Sequence, residues 1–348
     1  MSEIRIGDYL VGSGQPPFIV AEVGINHNGE LEKAFEMIRV AKECGANAVK
    51  FQTFKAEEFV GDPALTYTYI SQGKQITESM LDMFKRYEFS EKEWFLIKRK
   101  CDEEKIIFLS TPQNYTDLQF LLKIGIPAIK VGSDDFTNLP LLKKYEKTGL
   151  PIILSCGMAN LAEVFETLET VGTFEGYPTI LMLCTSQYPT PPEDANLLKL
   201  QTLKNVFPEL ILGYSDHTQG AIAACVAVAL GAVLFEKHFT LDNNLPGPDH
   251  WFSENPKGLK KWIDTIRLSH LMLGNPIVRP TSTELINIKE FRRVIVAACQ
   301  IKKGNTFTEM NLTTLRVKGG NGLPPKYFPM LVGKKACKNY YKGEPVLL

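Results

Sequence analysis

Two histidines, His217 and His238, each stand where a short apolar run turns polar, and each has a carboxylate close by, Asp216 and Glu236. Two neutral imidazoles, completed by water and substrate oxygens, suit Mn²⁺ or a similar divalent ion such as Mg²⁺ or Co²⁺. A lone histidine is ordinarily a satisfied core residue; two at neighbouring strand tips point to a ligand pair. Lys50 and Lys130 lie inside apolar runs, Val49-Lys-Phe51 and Ile129-Lys-Val131. An ammonium in such a run must find an anion. That anion is either internal, Glu22 or Asp135, or a bound phosphate and carboxylate, helped by the hydroxyls of Thr111, Ser133, Ser155 and Ser215. Pro246-Gly-Pro-Asp-His250 reads either as a plain turn or as the carrier of a further acid, Asp249.

These residues need elements that bring them together. Eight apolar runs recur: Phe18–Gly24, Ala48–Gln52, Ile106–Thr111, Ala128–Ser133, Ile152–Cys156, Ile180–Thr185, Leu210–Asp216 and Val233–Thr240. Near-continuous apolarity suits parallel strands covered on both faces. Amphipathic segments lie between them: Leu31–Cys44 stopped by Gly45, Ser90–Lys105 opened by a Ser90-x-x-Glu93 capping box, Asn160–Val171 and Pro256–Leu273. The pattern predicts an α/β chain, a (β/α)₈ TIM barrel, with every run turning polar at the end where barrel enzymes carry their chemistry. An open doubly wound sheet is the alternative, but no Gly-rich dinucleotide fingerprint follows the first run. Tyr67–Tyr87 reads as a long second βα loop, a candidate lid. Asn275–Pro280 reads as a linker. Short β runs between Gly/Pro turns then predict a small β-rich domain, giving domains at 1–280 and 281–348.

The 348 residues carry 39 basic and 39 acidic side chains, so no global charge draws nucleic acid or an anionic membrane. Seven scattered cysteines without a CxxC pair, and no signal-peptide or membrane-spanning run, suggest free thiols in a reducing cytoplasm.

At Ala21-Glu-Val-Gly-Ile-Asn-His27, Val49-Lys-Phe-Gln52, Leu109-Ser-Thr-Pro112, Leu154-Ser-Cys-Gly-Met158, Gly213-Tyr-Ser-Asp-His-Thr218, Phe235-Glu-Lys-His-Phe-Thr240 and Gly247-Pro-Asp249 the chain resembles the sialic acid synthase family, including legionaminic and pseudaminic acid synthases. Ile301-Lys-Lys-Gly304 and Leu331–Ala336 resemble that family's antifreeze-like (SAF) domain. The resemblance implies condensation of phosphoenolpyruvate with an amino-sugar aldose to give a nonulosonic acid, usually with Mn²⁺, in a domain-swapped homodimer. It implies metal ligation by His217 and His238. Phosphoenolpyruvate would lie among Lys50, Thr111, Lys130, Ser133, Ser155 and Ser215, and the aldose against Gln52, Tyr188 and Asp249. Glu22 would stand near the reacting centre, and Glu22 or Asp135 would activate water.

Three departures bear on this. Asp135 stands where the family often has Glu. Ser186 stands where it often has Asn, leaving a phosphate contact to pass through water. The tail reads Arg316-Val-Lys-Gly-Gly-Asn-Gly322, so Lys318 matches the family's sugar-reading Arg by position and Arg316 by side chain. Two competing readings are a synthase of seven- or eight-carbon acids from phosphorylated sugars, and a non-catalytic carbohydrate-binding barrel.

Overall fold

The computed structural model describes residues 3–347. It divides into two compact units, Met1–Gly274 and Asn275–Leu348.

The first unit opens with an antiparallel hairpin, β1 (Glu3–Ile6) and β2 (Tyr9–Gly12). Strand–helix repeats follow: β3 (Phe18–Gly24), α1 (Leu31–Cys44), β4 (Ala48–Thr53) and a short α2 (Ala56–Phe59). A second hairpin, β5 (Thr66–Ser71) and β6 (Lys74–Ser79), precedes α3 (Met80–Tyr87) and α4 (Glu91–Glu103). The order continues β7 (Ile107–Pro112), α5 (Tyr115–Ile124), β8 (Ile129–Val131), α6 (Leu139–Glu146), β9 (Ile152–Ser155) and α7 (Leu161–Thr170). It closes with β10 (Thr179–Cys184), α8 (Leu198–Val206), β11 (Ile211–Ser215), α9 (Ile222–Ala229), β12 (Leu234–His238) and α10 (Pro256–Leu273). Eight of these strands form one sheet in the order β7-β4-β3-β12-β11-β10-β9-β8, every pairing parallel. The two terminal strands of that order, β7 and β8, pack against each other and close the ring. The expected eight-stranded barrel is therefore present.

Local chemistry explains the helix limits. Gly45 ends α1 at φ 97°, its N–H turned back onto the Ala41 and Lys42 carbonyls. Ser90 and Glu93 form the capping box that starts α4. Asn255 accepts from the Gly258 N–H ahead of Pro256 in the first turn of α10.

Side-chain alternation then builds two cores. Residues such as Ile19, Val49, Phe51, Phe108 and Leu181 face outward and meet Ile38, Ile97, Leu118 and Trp262 of the helices. Burying each large side chain contributes roughly 1.5–3 kcal/mol. Inward residues Phe18, Val20, Ala48, Leu109, Ile153 and Met182 fill the floor, which Ile4, Ile6 and Val11 of the first hairpin plug. Two residues further along the same inward face the chemistry changes. Val20 gives way to Glu22, Ala48 to Lys50, Leu109 to Thr111, Ala128 to Lys130, Ile153 to Ser155 and Leu234 to Glu236. The apolar floor thus carries a polar layer directly above it.

The structure adds detail to two expectations. The long second βα segment, Tyr67–Tyr87, lies between β4 and α4 as expected and is itself ordered as the β5–β6 hairpin and α3: Thr68 and Thr77 pair across the hairpin and Ser79 caps the helix through the Asp82 N–H. Its tip is pinned: Ser71 Oγ accepts from the Gly247 N–H at 3.1 Å and Gln72 Nε2 donates to the Asn244 carbonyl at 2.9 Å. The tail carries the expected short strands, β13 (Val294–Ala297) and β14 (Leu312–Leu315), together with a capped helix ahead of them, α11 (Ser282–Phe291), and a short α12 (Phe328–Leu331) after them. Its own core gathers Ile295, Ile301, Phe307, Leu312, Leu331 and Tyr340.

The zero net charge hides an asymmetry that follows this division. Residues 275–348 carry 13 Lys/Arg against 4 Asp/Glu, and residues 1–274 carry 26 against 35, so the units have formal charges of +9 and −9. Among the described residues no helix is long and apolar enough to cross a membrane.

Candidate active site

The strand register lines up the chemistry. His238 on β12 lies opposite Glu22 on β3, and Glu22 opposite Lys50 on β4. Ser215 on β11 lies opposite Glu236 on β12, and Gln52 on β4 opposite Thr111 on β7. Above the floor these residues line a cavity of about 280 Å³.

Both lysines are buried there, and each answers the question of its anion internally. Lys50 Nζ is 2.7 Å from Glu22 Oε2, 3.8 Å from Glu236 Oε2, and donates to Thr111 Oγ1 at 3.1 Å. Lys130 Nζ is 3.5 Å from Glu236 Oε1 and donates to Ser155 Oγ at 2.8 Å. Glu236 therefore bridges the two ammonium groups, and it also accepts from Ser215 Oγ at 3.1 Å. The internal partners are Glu22 and Glu236, not Asp135.

The two glutamates differ in kind. Burial, opposed by Lys50 and reinforced by Glu236, raises Glu22 to about 7. Burial would also raise Glu236, but Lys130, Lys50 and the Ser215 hydroxyl outweigh it and keep it a carboxylate. Lys130 is pushed down by burial, with Glu236 offsetting part of the effect. Lys50 is raised, because its two carboxylates overcome burial. The layer thus holds the Glu236 carboxylate between two lysines, beside one acid poised near neutrality. An incoming dianion can be met by protonating Glu22 rather than by moving a charged side chain.

Opposite the lysines, His217 and His238 face each other with ring centroids 5.5 Å apart. His217 Nδ1 lies 2.7 Å from the Thr185 carbonyl, so it carries the proton and leaves the Nε2 lone pair available. Burial alone would lower His217, yet the Cys184 sulfur and the Thr185 carbonyl outweigh it and raise it. Burial, with the nearby His217 and lysines, holds His238 well below its ordinary value, hence neutral. Tyr188 packs against His217 with ring centroids 4.1 Å apart and planes tilted by 35°, and Phe252 packs edge-on to His238 at 5.3 Å.

Among the described residues no group of three or more His, Cys, Asp or Glu is arranged to hold a metal ion. The two histidines nonetheless fit a cation completed by substrate or water oxygens. His238 Nδ1 is buried without a hydrogen-bond partner among the described residues, 3.7 Å from Asp249 Oδ2. Burial raises Asp249 to about 6.

Gln52 Nε2 donates to Glu22 Oε1 at 3.3 Å. Gly24, at φ 52°, keeps this corner open: a Cβ there would sit 3.3 Å from Glu22 Oε1 and 3.4 Å from Gln52 Nε2. Ser133 and Ser186 converge on Gly157, whose N–H donates to Ser133 Oγ at 3.0 Å. A Cβ on Gly157 would run into both hydroxyls.

Glu22, Lys50, Gln52, Thr111, Lys130, Ser133, Ser155, Ser186, Tyr188, Ser215, His217 and His238 all line the cavity, and Asp249 adjoins it. Asp135 does not join them. Its carboxylate accepts from Asn138 Nδ2 at 2.8 Å at the start of α6, while its neighbour Asp134 lines the cavity instead. Strand β8 stops at Val131, so Ser133-Asp134-Asp135 is a turn in which alternation no longer says which side chain faces in. Arg316 and Lys318 are exposed in the second unit, with Arg316 stacked over the Phe291 ring at 5.8 Å. Sequence reasoning missed Glu236 as the bridge. The signal was present: Glu236 and His238 are two residues apart on one strand and must share a face. Cys184 and Phe252 were legible only from contacts.

A closed barrel with an acid–base cluster and an imidazole pair at its C-terminal mouth has the layout of a barrel enzyme, whose chemistry sits at that face. A model of the NeuB family matches residues 37–278, and a SAF domain model matches 292–348. The chain belongs to the NeuB family. It is 41% identical over 331 residues to the N,N'-diacetyllegionaminic acid synthase of Campylobacter jejuni, covering 94% of this chain and 97% of that protein. It is 36% identical over 341 residues to human N-acetylneuraminate-9-phosphate synthase, covering 97% and 93%. Among solved structures it resembles the N-acetylneuraminic acid synthetase of Leptospira borgpetersenii at TM-score 0.74 and 35% identity, covering 82% of this chain and 95% of that one. The chain is thus an enzyme of the sialic acid synthase type.

Proposed function

We propose that this enzyme condenses phosphoenolpyruvate and water with an N-acetylated amino-sugar aldose, releasing phosphate and a nonulosonic acid. The observation that carries the reading is the pair of buried lysines bridged by Glu236, facing an imidazole pair across one small cavity. Similarity to the Campylobacter jejuni enzyme favours a diacetamido hexose over N-acetylmannosamine, and a free rather than a phosphorylated sugar.

Lys50 and Lys130 neutralise the phosphate and carboxylate and hold the enol so that its nucleophilic carbon faces the aldehyde, an orientation effect as much as a charge effect. Thr111, Ser133, Ser155 and Ser215 supply hydroxyl donors around the same anion. Glu22, poised near neutrality and hydrogen-bonded to Gln52, holds or releases the proton of the water that adds to the enol carbon. Gln52, Tyr188 and Asp249 orient the aldose. Mn²⁺ or a related divalent ion on His217 and His238 would supply Lewis-acid polarisation of the aldehyde. The enzyme works as a homodimer in which the basic C-terminal unit of one copy, with Arg316 and Lys318, serves the acidic barrel of the other; the opposite charges of the two units support this.

The test is phosphate release and product mass with phosphoenolpyruvate, Mn²⁺ and a panel of free and phosphorylated mono- and diacetamido hexoses. Turnover of a free diacetamido hexose above the others is expected. Consumption of phosphorylated aldoses only, or no sugar-dependent phosphate release, overturns the reading.

A further inference from the structure

Asp216 and Lys237 stand one residue before His217 and His238. Alternation turns both to the outer side of the barrel wall, away from the cavity, where α10 covers them. Lys237 Nζ lies 3.0 Å from Asp216 Oδ2 and donates to the Thr218 carbonyl at 2.5 Å, with Glu254 Oε1 at 3.9 Å. Asp216 Oδ2 also accepts from Trp262 Nε1 at 2.9 Å. Its Oδ1 accepts from the Thr218 N–H at 2.9 Å and the Thr218 hydroxyl at 2.7 Å. The side chains are 3% and 0% exposed.

Such a pair adds little net stability over well-packed apolar residues, because two desolvation penalties offset the attraction. What it supplies is a fixed separation. It lies where that is needed, because the last ladder pair between β11 and β12 is Ser215 with Glu236. Beyond it the Asp216 N–H still reaches the Glu236 carbonyl at 2.8 Å, but among the described residues no backbone pairing links His217 to His238. The ion pair is the cross-link between the two strand tips at the level of the imidazoles.

We propose that Asp216 and Lys237 are positioning residues whose ion pair sets the separation and aim of His217 and His238, and hence the geometry of any cation held between them. This rests on the two-histidine site proposed above.

The test uses the full-length protein with Co²⁺ as the probe, read by calorimetry and by its visible absorption bands. The double variant D216N/K237M removes both charges and leaves no lone buried ion. It should keep the fold, bind Co²⁺ about tenfold or more weakly, as outer-shell changes at metal sites commonly do, and shift the Co²⁺ bands. Its phosphoenolpyruvate binding, measured without metal, should change less than about threefold, since Lys50 and Lys130 keep their partners. D216E keeps both charges but lengthens the link, so it should also shift the bands, which a merely structural ion pair would not require. If the double variant does not fold, D216E alone decides. Wild-type Co²⁺ affinity and bands in the folded variants overturn the proposal. Absence of Co²⁺ binding by the wild-type protein overturns the two-histidine site itself, and the proposal with it.

Discussion

Replacing Lys50 by Met keeps the side-chain length and removes one charge from the cavity. The size of the effect follows from the neighbours. A bound phosphate oxygen at a salt-bridge distance of about 4 Å, at an effective dielectric near 20, would gain about 4 kcal/mol from Lys50. Part of that loss is recovered. Without Lys50, 2.7 Å away, Glu22 rises further from its value of about 7, is protonated at neutral pH, and no longer repels the ligand. The net cost should be about 2–3 kcal/mol, or roughly 30- to 150-fold in dissociation constant. Calorimetric titration with phosphoenolpyruvate in the absence of aldose reads this directly. Repeating it at pH 7.5 in buffers of different ionisation enthalpy reads the proton: wild type should take one up on binding as Glu22 protonates, and Lys50→Met should not. In steady state the KM for phosphoenolpyruvate should rise while that for the aldose moves little. Thermal stability should fall only slightly, because a neutral Glu22 beside Met leaves no unpaired buried charge. Binding of phosphoenolpyruvate by the variant within about threefold of wild type would refute both the cradle and the electrostatic reasoning behind it.

His217→Ala and His238→Ala should each abolish condensation while preserving the circular dichroism spectrum, since a site with two protein ligands loses most of its affinity with either; full activity after exhaustive dialysis against EDTA would contradict the metal pair. Burial lowers His250 to about 4, its Nδ1 lying 2.7 Å from Thr240 Oγ1 and its Nε2 3.0 Å from Asn28 Oδ1. Between pH 6.5 and 4 the unfolded chain takes up a proton that the folded chain refuses, so stability falls as pH falls through that window. His250→Gln should reduce the slope of unfolding free energy against pH there by up to about 1.4 kcal/mol per pH unit, and an unchanged slope in urea titrations would sink this account. Mixing Arg316→Ala/Lys318→Ala protein with His217→Ala protein should restore activity once mass spectrometry shows subunit exchange, because one composite site regains both parts. That recovery should weaken as salt is raised, given units charged +9 and −9, and exchange without recovery would count against action in trans.

The barrel was legible because its signal is one-dimensional. Runs such as Ile180–Thr185 are apolar on both faces, as only a strand covered on both sides requires, and eight of them ending polar at the same end fit one closed sheet. Helix limits at Gly45 and Ser90 were legible for the same reason, since a cap is made by residues within a few positions of each other. The β5–β6 hairpin was not. Most of its residues are exposed, so burial imprints little apolar periodicity on it, and its position depends on Ser71 and Gln72 meeting a loop more than 170 residues away.

Within the site the same division holds. Residue types and alternation along single strands determined which side chains reach the cavity: Lys50, Lys130, Ser155, His217 and His238 lie on strands or at their tips, where the period of two is strict. Alternation also contained Glu236, two residues before His238, although only the fold showed it bridging both lysines. Asp134 and Asp135 could not be told apart, because β8 ends at Val131 and a turn has no period. The pairings themselves, Lys50 with Glu22, Asp216 with Lys237, His217 with the Thr185 carbonyl, were decided by the tertiary structure alone. Each joins different strands or the loops at their ends, and which groups meet there depends on register and closure of the ring, quantities that local sequence does not encode.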